Sequence, residues 1–498
     1  MNQHLPALPV IVPLLSALLI TMLGWFNRRL SFPIALAALT VALLSALGLM
    51  GDVLARGVIA YKMGGWDPPW GIAYRVDHLN GLVLVVVLAV ALIGLIATRD
   101  RVKAEFEDRI VPFYTLFILF VTGLSGILLT GDAFNLYVLL EIASLTGYAL
   151  IGMGEDRAPL AGLNYILMGT IGASFYLLGI GYLYLMTGTL NMVDLATRLP
   201  GLYDSHVVTL AFFICLTGLF VKMAFFPVHV WLPNAYSNAS SAASILIAPL
   251  TTKVMIYVMI RITLTVFTPD YAFDVLDIGD AVVWLAVIAI VMGSVFALAQ
   301  NRLKRILSYI VVAEVGYMVG GFWLGNRAGI TGSILHIVND AAMTLCVFLA
   351  AGALMTRVPG DRLIHLQGLF RKMPVSMAAL AVGGLSIIGV PPTCGFFSKW
   401  YLISGGIDAG HYGFVAALLF SSLVNMALFF RIFEIAYYEP FGAGHGHNHD
   451  HDASQPEDAP AAMLAPLVVV AVLLVVLGLY SGNLVSAIIQ HAIPEQII

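Results

Sequence analysis

The sequence predicts an all-α polytopic membrane protein with about 14 transmembrane helices. Of its 498 residues, 60% are hydrophobic and only 10% are charged, and the mean hydropathy is +0.95. This composition excludes a soluble globular protein of this length. Its apolar runs are long and continuous, whereas the strands of a membrane β-barrel are about 10 residues long and alternate in polarity. A bundle of spanning helices is therefore expected.

The order of the spans follows from hydropathy. The first run, Leu5–Gly24, has no basic segment before it and no small-residue cleavage pattern, so we expect an uncleaved first span. Most of the 24 Lys and Arg residues fall in loops that follow odd-numbered spans. The positive-inside rule then places these loops in the cytoplasm and both termini on the outer face. A window of about 20 residues gives spans at 5–24, 32–50, 78–98, 111–130, 132–153, 160–187, 206–227, 235–262, 281–300, 306–325, 328–354, 374–404, 413–438 and 462–482.

Several predicted spans contain charged residues. Glu141 lies within the apolar run Phe134–Leu150, and Lys222 lies within Thr209–His229. A charged side chain at the centre of a spanning helix costs about 2.5–3.5 kcal/mol, so it is tolerated only beside a partner, a cavity or an ion pathway. Such repeated charges predict a proton or ion pathway. A scaffold whose charges merely pair is the alternative. Further charges at membrane depth are Lys253, Glu314, Asp340 and Lys399.

Two spans are predicted to be broken. The segments Lys222–Pro233 and Gly389–Trp400 each place proline within a few residues of a lysine at membrane depth. Proline removes a backbone donor and interrupts a helix, and irregular backbone at that depth has to be buried in protein or line a cavity. Interrupted helices in two halves are typical of transporters built from repeats. The predicted breaks lie at Pro227, Pro391 and Pro392.

Sequence motifs along nearly the whole chain resemble those of one family. The chain is similar to the proton-conducting subunits shared by respiratory complex I and Mrp-type multisubunit Na+/H+ antiporters. This resemblance implies two inverted five-helix repeats, spans 4–8 and 9–13, each with one broken helix and one half-channel. The segments that carry it are Gly131–Glu141, Lys222–Pro233, Ser241–Arg261, Lys304–Tyr309, Gly368–Pro374 and Gly389–Trp400.

The resemblance also implies a domain plan. Residues 1–110 hold the first three spans, 111–262 the first repeat, and 281–438 the second repeat. A His-rich cytoplasmic loop follows at 439–460, and 461–498 hold the last span. Alternating histidines in that loop can bind transition metals weakly, but a solvated loop is the expectation. No metal or cofactor site is predicted, and Cys215, Cys346 and Cys394 are expected to be core residues because they lack metal-ligand spacing.

Residue roles follow from the resemblance and from spacing. The resemblance implies that Glu141 and Lys222 form a coupled pair, that Lys253 connects the half-channels and that Lys399 serves the second one. In this family a lysine usually occupies the position of Thr344. We hypothesise that His336, Asp340 and Glu314 replace it in a relay between Lys253 and Lys399, because His336 and Asp340 share one helix face at i and i+4. His229 and Tyr309 are further candidates for the relay.

Within the family, the motif wording of Gly389–Trp400 favours the D-type component of an Mrp-type antiporter. The predicted function is proton translocation in a complex that exchanges a monovalent cation, taken as Na+, for protons. The subunit would not be an enzyme itself, and it would work with other membrane subunits in the inner membrane of a prokaryotic cell. The alternatives are a proton-pumping subunit of a complex I-like or membrane hydrogenase complex, and a subunit of an inorganic-carbon uptake complex.

Overall fold

The computed structural model describes residues 4–358, 360–437 and 458–497. The prediction of an all-α membrane protein is confirmed, and most of the predicted His-rich loop lies outside the described residues. The helices are α1 Leu8–Gly24, α2 Ser31–Arg56, α3 His78–Glu105, α4 Ile110–Leu129, α5 Ala133–Gly152, α6 Ala158–Thr187, α7 Met192–Arg198, α8 His206–Lys222, α9 Trp231–Asn238, α10 Ser241–Ile247, α11 Thr251–Arg261, α12 Gly279–Leu298, α13 Leu303–Trp323, α14 Arg327–Leu354, α15 Leu369–Lys372, α16 Pro374–Ile388, α17 Cys394–Asp408, α18 Tyr412–Tyr437, α19 Ala461–Leu479, α20 Ser481–Leu484 and α21 Gln490–Ala492.

Within the described residues, 12 helical segments are long and apolar enough to cross a membrane. The other two predicted spans contain shorter helices: 206–227 contains α8, which a break separates from α9, and 374–404 contains α16 and α17. The count of about 14 therefore stays a prediction, as does the division into two repeats. The difference has a physical cause, because a broken helix is shorter than the hydrocarbon thickness that a spanning segment has to match.

Lys253, Glu314 and Asp340 lie on the most enclosed helices. The most apolar stretches of Ser241–Val266 and Arg327–Leu354 are entirely buried within the protein, and that of α13 is almost so. By contrast, less than half of the corresponding stretch is buried in α1, α2, α6, α12, α18 and α19. A helix that is apolar all round and carries a few charges is tolerated in such a position, because its charges face protein and not lipid.

A small sheet and an ion pair lie next to the start of α3. Strands β1 (Ile59–Lys62) and β2 (Ala73–Val76) form an antiparallel hairpin before α3. Asp77 caps the start of α3 and also accepts two hydrogen bonds from the Arg261 guanidinium, at 2.7 and 2.8 Å. Burial alone would raise the pKa of Asp77, but the charge and hydrogen bonds of Arg261 hold it below its usual value. This pair fixes the end of α11 against α3.

Candidate functional site

Lys222 lies at the end of α8 and points at one face of α5. Its Nζ donates hydrogen bonds to Ser144 Oγ at 2.8 Å and to Tyr148 OH at 3.2 Å, and it lies 3.6 Å from Glu141 Oε1. The three partners follow at i, i+3 and i+7, which is one face of a helix. The lysine side chain is 4% exposed and that of Glu141 is 24% exposed. The ammonium is therefore compensated by one carboxylate and two hydroxyls.

The break after α8 places this lysine favourably. The helix ends at Lys222, and α9 begins at Trp231, with Pro227 in the intervening segment. Since carbonyl groups at a helix end lack amide partners and carry partial negative charge, a cation there is stabilised. One such carbonyl, that of Val221, accepts a hydrogen bond from Trp231 Nε1 at 2.9 Å. The break thus places Lys222 at a helix end, where the partial negative charge of the carbonyl groups stabilises its ammonium.

A second cluster lies where α11 meets α14. Lys253 Nζ lies 2.8 Å from Asp340 Oδ2, and both side chains are fully buried. The Thr344 hydroxyl accepts from Lys253 at 3.2 Å and donates to Asp340 Oδ1 at 2.7 Å. Thr344 therefore bridges the ion pair. At position 344, where the resemblance implies a lysine, a hydroxyl contacts a lysine contributed by another helix.

Glu314 of α13 adds a third ionisable group to this cluster. It is 1% exposed, and its carboxyl lies within hydrogen-bonding reach of Asp340. A hydrogen bond between two carboxyl groups requires a proton on one of them, because an ionised carboxylate can only accept. The arrangement of one lysine and two acids can therefore hold one exchangeable proton in addition to the ammonium.

Lys399 is held mainly by the backbone of the second broken helix. Its Nζ donates to the carbonyl oxygens of Ile387 and Ile388 at 2.7 and 3.2 Å, and to Ser422 Oγ at 2.9 Å. In an uninterrupted helix those carbonyls would accept from residues 391 and 392. Both positions are proline, which has no N–H. The two prolines therefore leave two acceptors free for the lysine.

Replacing both prolines should remove this arrangement. In the variant Pro391→Ala/Pro392→Leu, two N–H groups become available to the carbonyls of Ile387 and Ile388, so the ammonium loses two of its three acceptors. We expect proton transport to fall strongly while assembly of the complex changes little, as measured by vesicle pH assays and subunit yield. Pro466→Ala, in α19, is the matched control because that proline lies inside an uninterrupted helix and not at a break. Normal transport by the double variant would show that the break is incidental.

The two candidate histidines differ in their surroundings. His336 Nδ1 lies 2.9 Å from Ser398 Oγ, next to Lys399 in sequence, and its Nε2 is buried without a hydrogen-bond partner among the described residues. It therefore lies between the Asp340 cluster and the second lysine. His229 instead packs among aromatic rings, those of Phe226, Phe296 and Tyr309, and its Nδ1 has no partner among the described residues. The structure does not join His229 to the buried acids.

A small cavity lies between the first pair and the second cluster. It is lined by Ser144, Tyr165, Lys222 and Thr251, among others, and leaves about 10 Å³ for the centre of a water molecule. This volume is near the lower limit for holding one water. Thr251 is two residues from Lys253 on α11. A single water in this cavity would therefore shorten the gap between Lys222 and the Lys253 cluster.

Sequence reasoning missed the hydroxyl groups that surround the lysines. Ser144 and Tyr148 could have been found from their helical spacing to Glu141. Ser422 could not, because its contact with Lys399 joins two different helices. Tyr317 was also missed, because it lies in an apolar stretch of the sequence. Its ring lies 5.2 Å from Lys399 Nζ and 5.4 Å from the His336 ring.

A family model described as "NADH:quinone oxidoreductase/Mrp antiporter, TM" matches residues 130–425. That range contains every charged residue of the site described above. NADH-quinone oxidoreductase subunit N of Desulforudis audaxviator (strain MP104C) is 41% identical over 99% of this chain and 99% of its own. The D-type component of the Na(+)/H(+) antiporter of Bacillus subtilis (strain 168) is 30% identical over 86% of each chain.

Solved structures show the same fold. A chain of an archaeal respiratory complex, the membrane-bound sulfane sulfur reductase, superposes with a TM-score of 0.88 at 28% identity over 97% of this chain and 96% of its own. A chain of the Mrp complex from Dietzia sp. DQ12-45-1b gives a TM-score of 0.85 at 25% identity over 98% and 96%. These similarities extend over the full bundle and not only over the matched core.

Proposed function

Because the chain belongs to the NADH:quinone oxidoreductase/Mrp antiporter transmembrane family, we propose that it is a proton-translocating, D-type component of a multisubunit cation/H+ antiporter, with Na+ as the exchanged cation. The observation that carries the proposal is the row of buried lysines, each held by an acid, a hydroxyl or a freed carbonyl. Each lysine can give up and regain a proton without leaving its site. A row of such groups moves charge across the interior of the bundle.

In this proposal the Glu141–Lys222 pair is the switch. A buried ammonium holds its proton less tightly as a nearby carboxylate moves away, so a change in the Glu141–Lys222 distance alters proton retention. The two groups act together because Lys222 Nζ lies 3.6 Å from Glu141 Oε1. Lys253, with Asp340 and Glu314, receives the proton from the first half. His336 and Ser398 lead on to Lys399, the lysine of the second half.

The location and partners follow from the same reasoning. We place the subunit in the inner membrane of a prokaryotic cell, with its more basic loops in the cytoplasm and both termini outside. Glu141, at 24% side-chain exposure, needs a neighbour at membrane depth, since lipid does not compensate a carboxylate. Other membrane subunits of a hetero-oligomeric complex provide that neighbour.

A second candidate function is a proton-pumping membrane subunit of a complex I-like enzyme. The specific observation in its favour is the 41% identity to an NADH-quinone oxidoreductase subunit N over 99% of both chains. In such a complex the driving force comes from redox chemistry in partner subunits. The roles of the buried lysines and acids would be the same, and only the source of energy would differ.

Purification of the native complex separates the two candidates. The antiporter proposal expects small membrane subunits without redox cofactors, and expects an imposed Na+ gradient to move protons in proteoliposomes. The second candidate expects co-purifying quinone-oxidoreductase subunits and no proton movement on a Na+ gradient alone. A preparation with redox subunits that is inert to Na+ would refute the antiporter proposal.

A further inference from the structure

A crevice lies at the seam between the two predicted repeats. Its volume is about 810 Å³, and charged or polar residues form much of its lining. Contributions come from the end of α3, the connection between α9 and α10, the start of α13 and the segment after α14. These segments lie at the end of the bundle that carries the more basic loops. A crevice with this lining holds water in preference to lipid chains.

Lys304 forms the floor of this crevice. Its side chain is 4% exposed, and its Nζ donates to the Ala239 carbonyl at 2.6 Å. An ammonium group has three donors, and among the described residues Lys304 makes this one hydrogen bond and no ion pair within 4 Å. The charges that influence it most are Glu105, Asp361, Arg302 and Arg101. Its remaining donors therefore need water from the crevice.

Between Lys304 and the Lys253–Asp340 pair, a layer of side chains separates the crevice from the interior. A second void is lined by Ser244, Lys304 and Phe348 and leaves no room for a water molecule. Phe348 is one helical turn from Thr344, which binds Lys253 and Asp340. One turn of α-helix is about 5.4 Å long. The buried relay is therefore separated from the crevice by roughly one layer of side chains.

We propose that this crevice is an aqueous entrance to the relay at Lys253 and Asp340, and that Lys304 is a proton-carrying group at its floor. The proposal rests on the proposed function, since it assigns an access route to that relay. A fixed positive charge in a narrow passage disfavours hydrated cations, whereas a proton can pass by exchange with an ammonium proton. Lys304 would thus admit protons from the basic-loop side and exclude Na+. The Ala239 carbonyl holds the ammonium in place between the repeats.

Accessibility of introduced cysteines tests the entrance independently of transport. In a complex whose subunit has Cys215, Cys346 and Cys394 replaced by alanine, Ser240→Cys should react with a membrane-impermeant thiosulfonate reagent only from the basic-loop side. Ser244→Cys, behind Lys304, should react slowly. Adding Lys304→Ala should speed its labelling by about tenfold or more. The proposed entrance would be refuted if Ser240→Cys did not react. It would also be refuted if the labelling rate of Ser244→Cys were the same with and without Lys304→Ala.

Two substitutions test whether Lys304 carries protons. Lys304→Arg keeps the charge and a donor to the Ala239 carbonyl, but guanidinium does not release its proton. We expect both Lys304→Arg and Lys304→Gln to assemble and to lose at least about nine-tenths of proton transport, a tenfold loss. Lys103→Arg, at an exposed position on α3, is the control. Normal transport by Lys304→Arg would overturn the carrier role. Failure of the proposed function itself would instead appear as active Glu141 and Lys222 variants, with labelling unchanged.

Discussion

Replacing Lys222 or Glu141 by alanine is expected to abolish ion-coupled proton transport while the subunit still inserts and assembles. Lys222→Ala removes the only ammonium that contacts Glu141, Ser144 and Tyr148 among the described residues. Glu141→Ala leaves that ammonium with two neutral hydroxyls and no counter-charge, so its proton is no longer under the control of a carboxylate. The measurement is the change in internal pH of vesicles after a cation pulse, normalised to assembled complex.

The matched controls for this pair are Lys103→Ala and Glu107→Ala, because both residues are exposed at the end of α3 and beyond it. They should transport as the unmodified complex does. Substantial antiport by either Glu141→Ala or Lys222→Ala would refute the coupled pair. Loss of assembly would be detected as reduced subunit yield, and the conservative variants Glu141→Gln and Lys222→Gln then repeat the test with similar side-chain volumes.

Asp340→Asn is expected to have the largest combined effect on stability and transport. It leaves the fully buried Lys253 ammonium without its ion-pair partner. Removing one partner of a buried pair typically costs about 3–5 kcal/mol, since a buried charge is left uncompensated. We expect a lower thermal-aggregation temperature of the purified complex and loss of proton transport in the fraction that remains assembled.

The matched control is Asp194→Asn. Asp194 forms an i, i+4 ion pair with Arg198 near the surface, where the two side chains are 29% and 48% exposed. Such a pair contributes only about 0.3–0.5 kcal/mol, so this variant should be nearly as stable as the unmodified protein. An Asp340→Asn complex that transports normally would exclude Asp340 from the proton path, and one as stable as the control would show that Glu314 takes over the counter-charge.

The fold class was predictable because it depends on composition and run length, which are local properties of the chain. Proline marked the two helix breaks only in combination with the neighbouring lysines, because Pro13 and Pro466 lie inside uninterrupted helices. The effect of the prolines on Lys399 could be predicted only in part. The sequence shows that residues 391 and 392 lack N–H groups. That Lys399 donates to the carbonyls of Ile387 and Ile388 depends on how α17 packs against α16.

The partners of the buried charges were less predictable. Lys253 and Asp340 are 87 positions apart, and nothing in their local sequence pairs them. The sequence led us to expect acids and His336 to replace a lysine at position 344. The structure places Thr344 itself inside the ion pair, a contact that requires α11 and α14 to pack at this depth. The buried position of Lys304 was missed because a basic residue at a helix start usually faces water.

The most direct test of the account is the response of proteoliposomes containing the purified complex to an imposed Na+ gradient. The account predicts that the unmodified complex moves protons against the Na+ flow, and that Glu141→Gln and Asp340→Asn complexes, matched for assembled protein, do not. Proton movement at the unmodified rate in both variants would contradict a pathway through these residues.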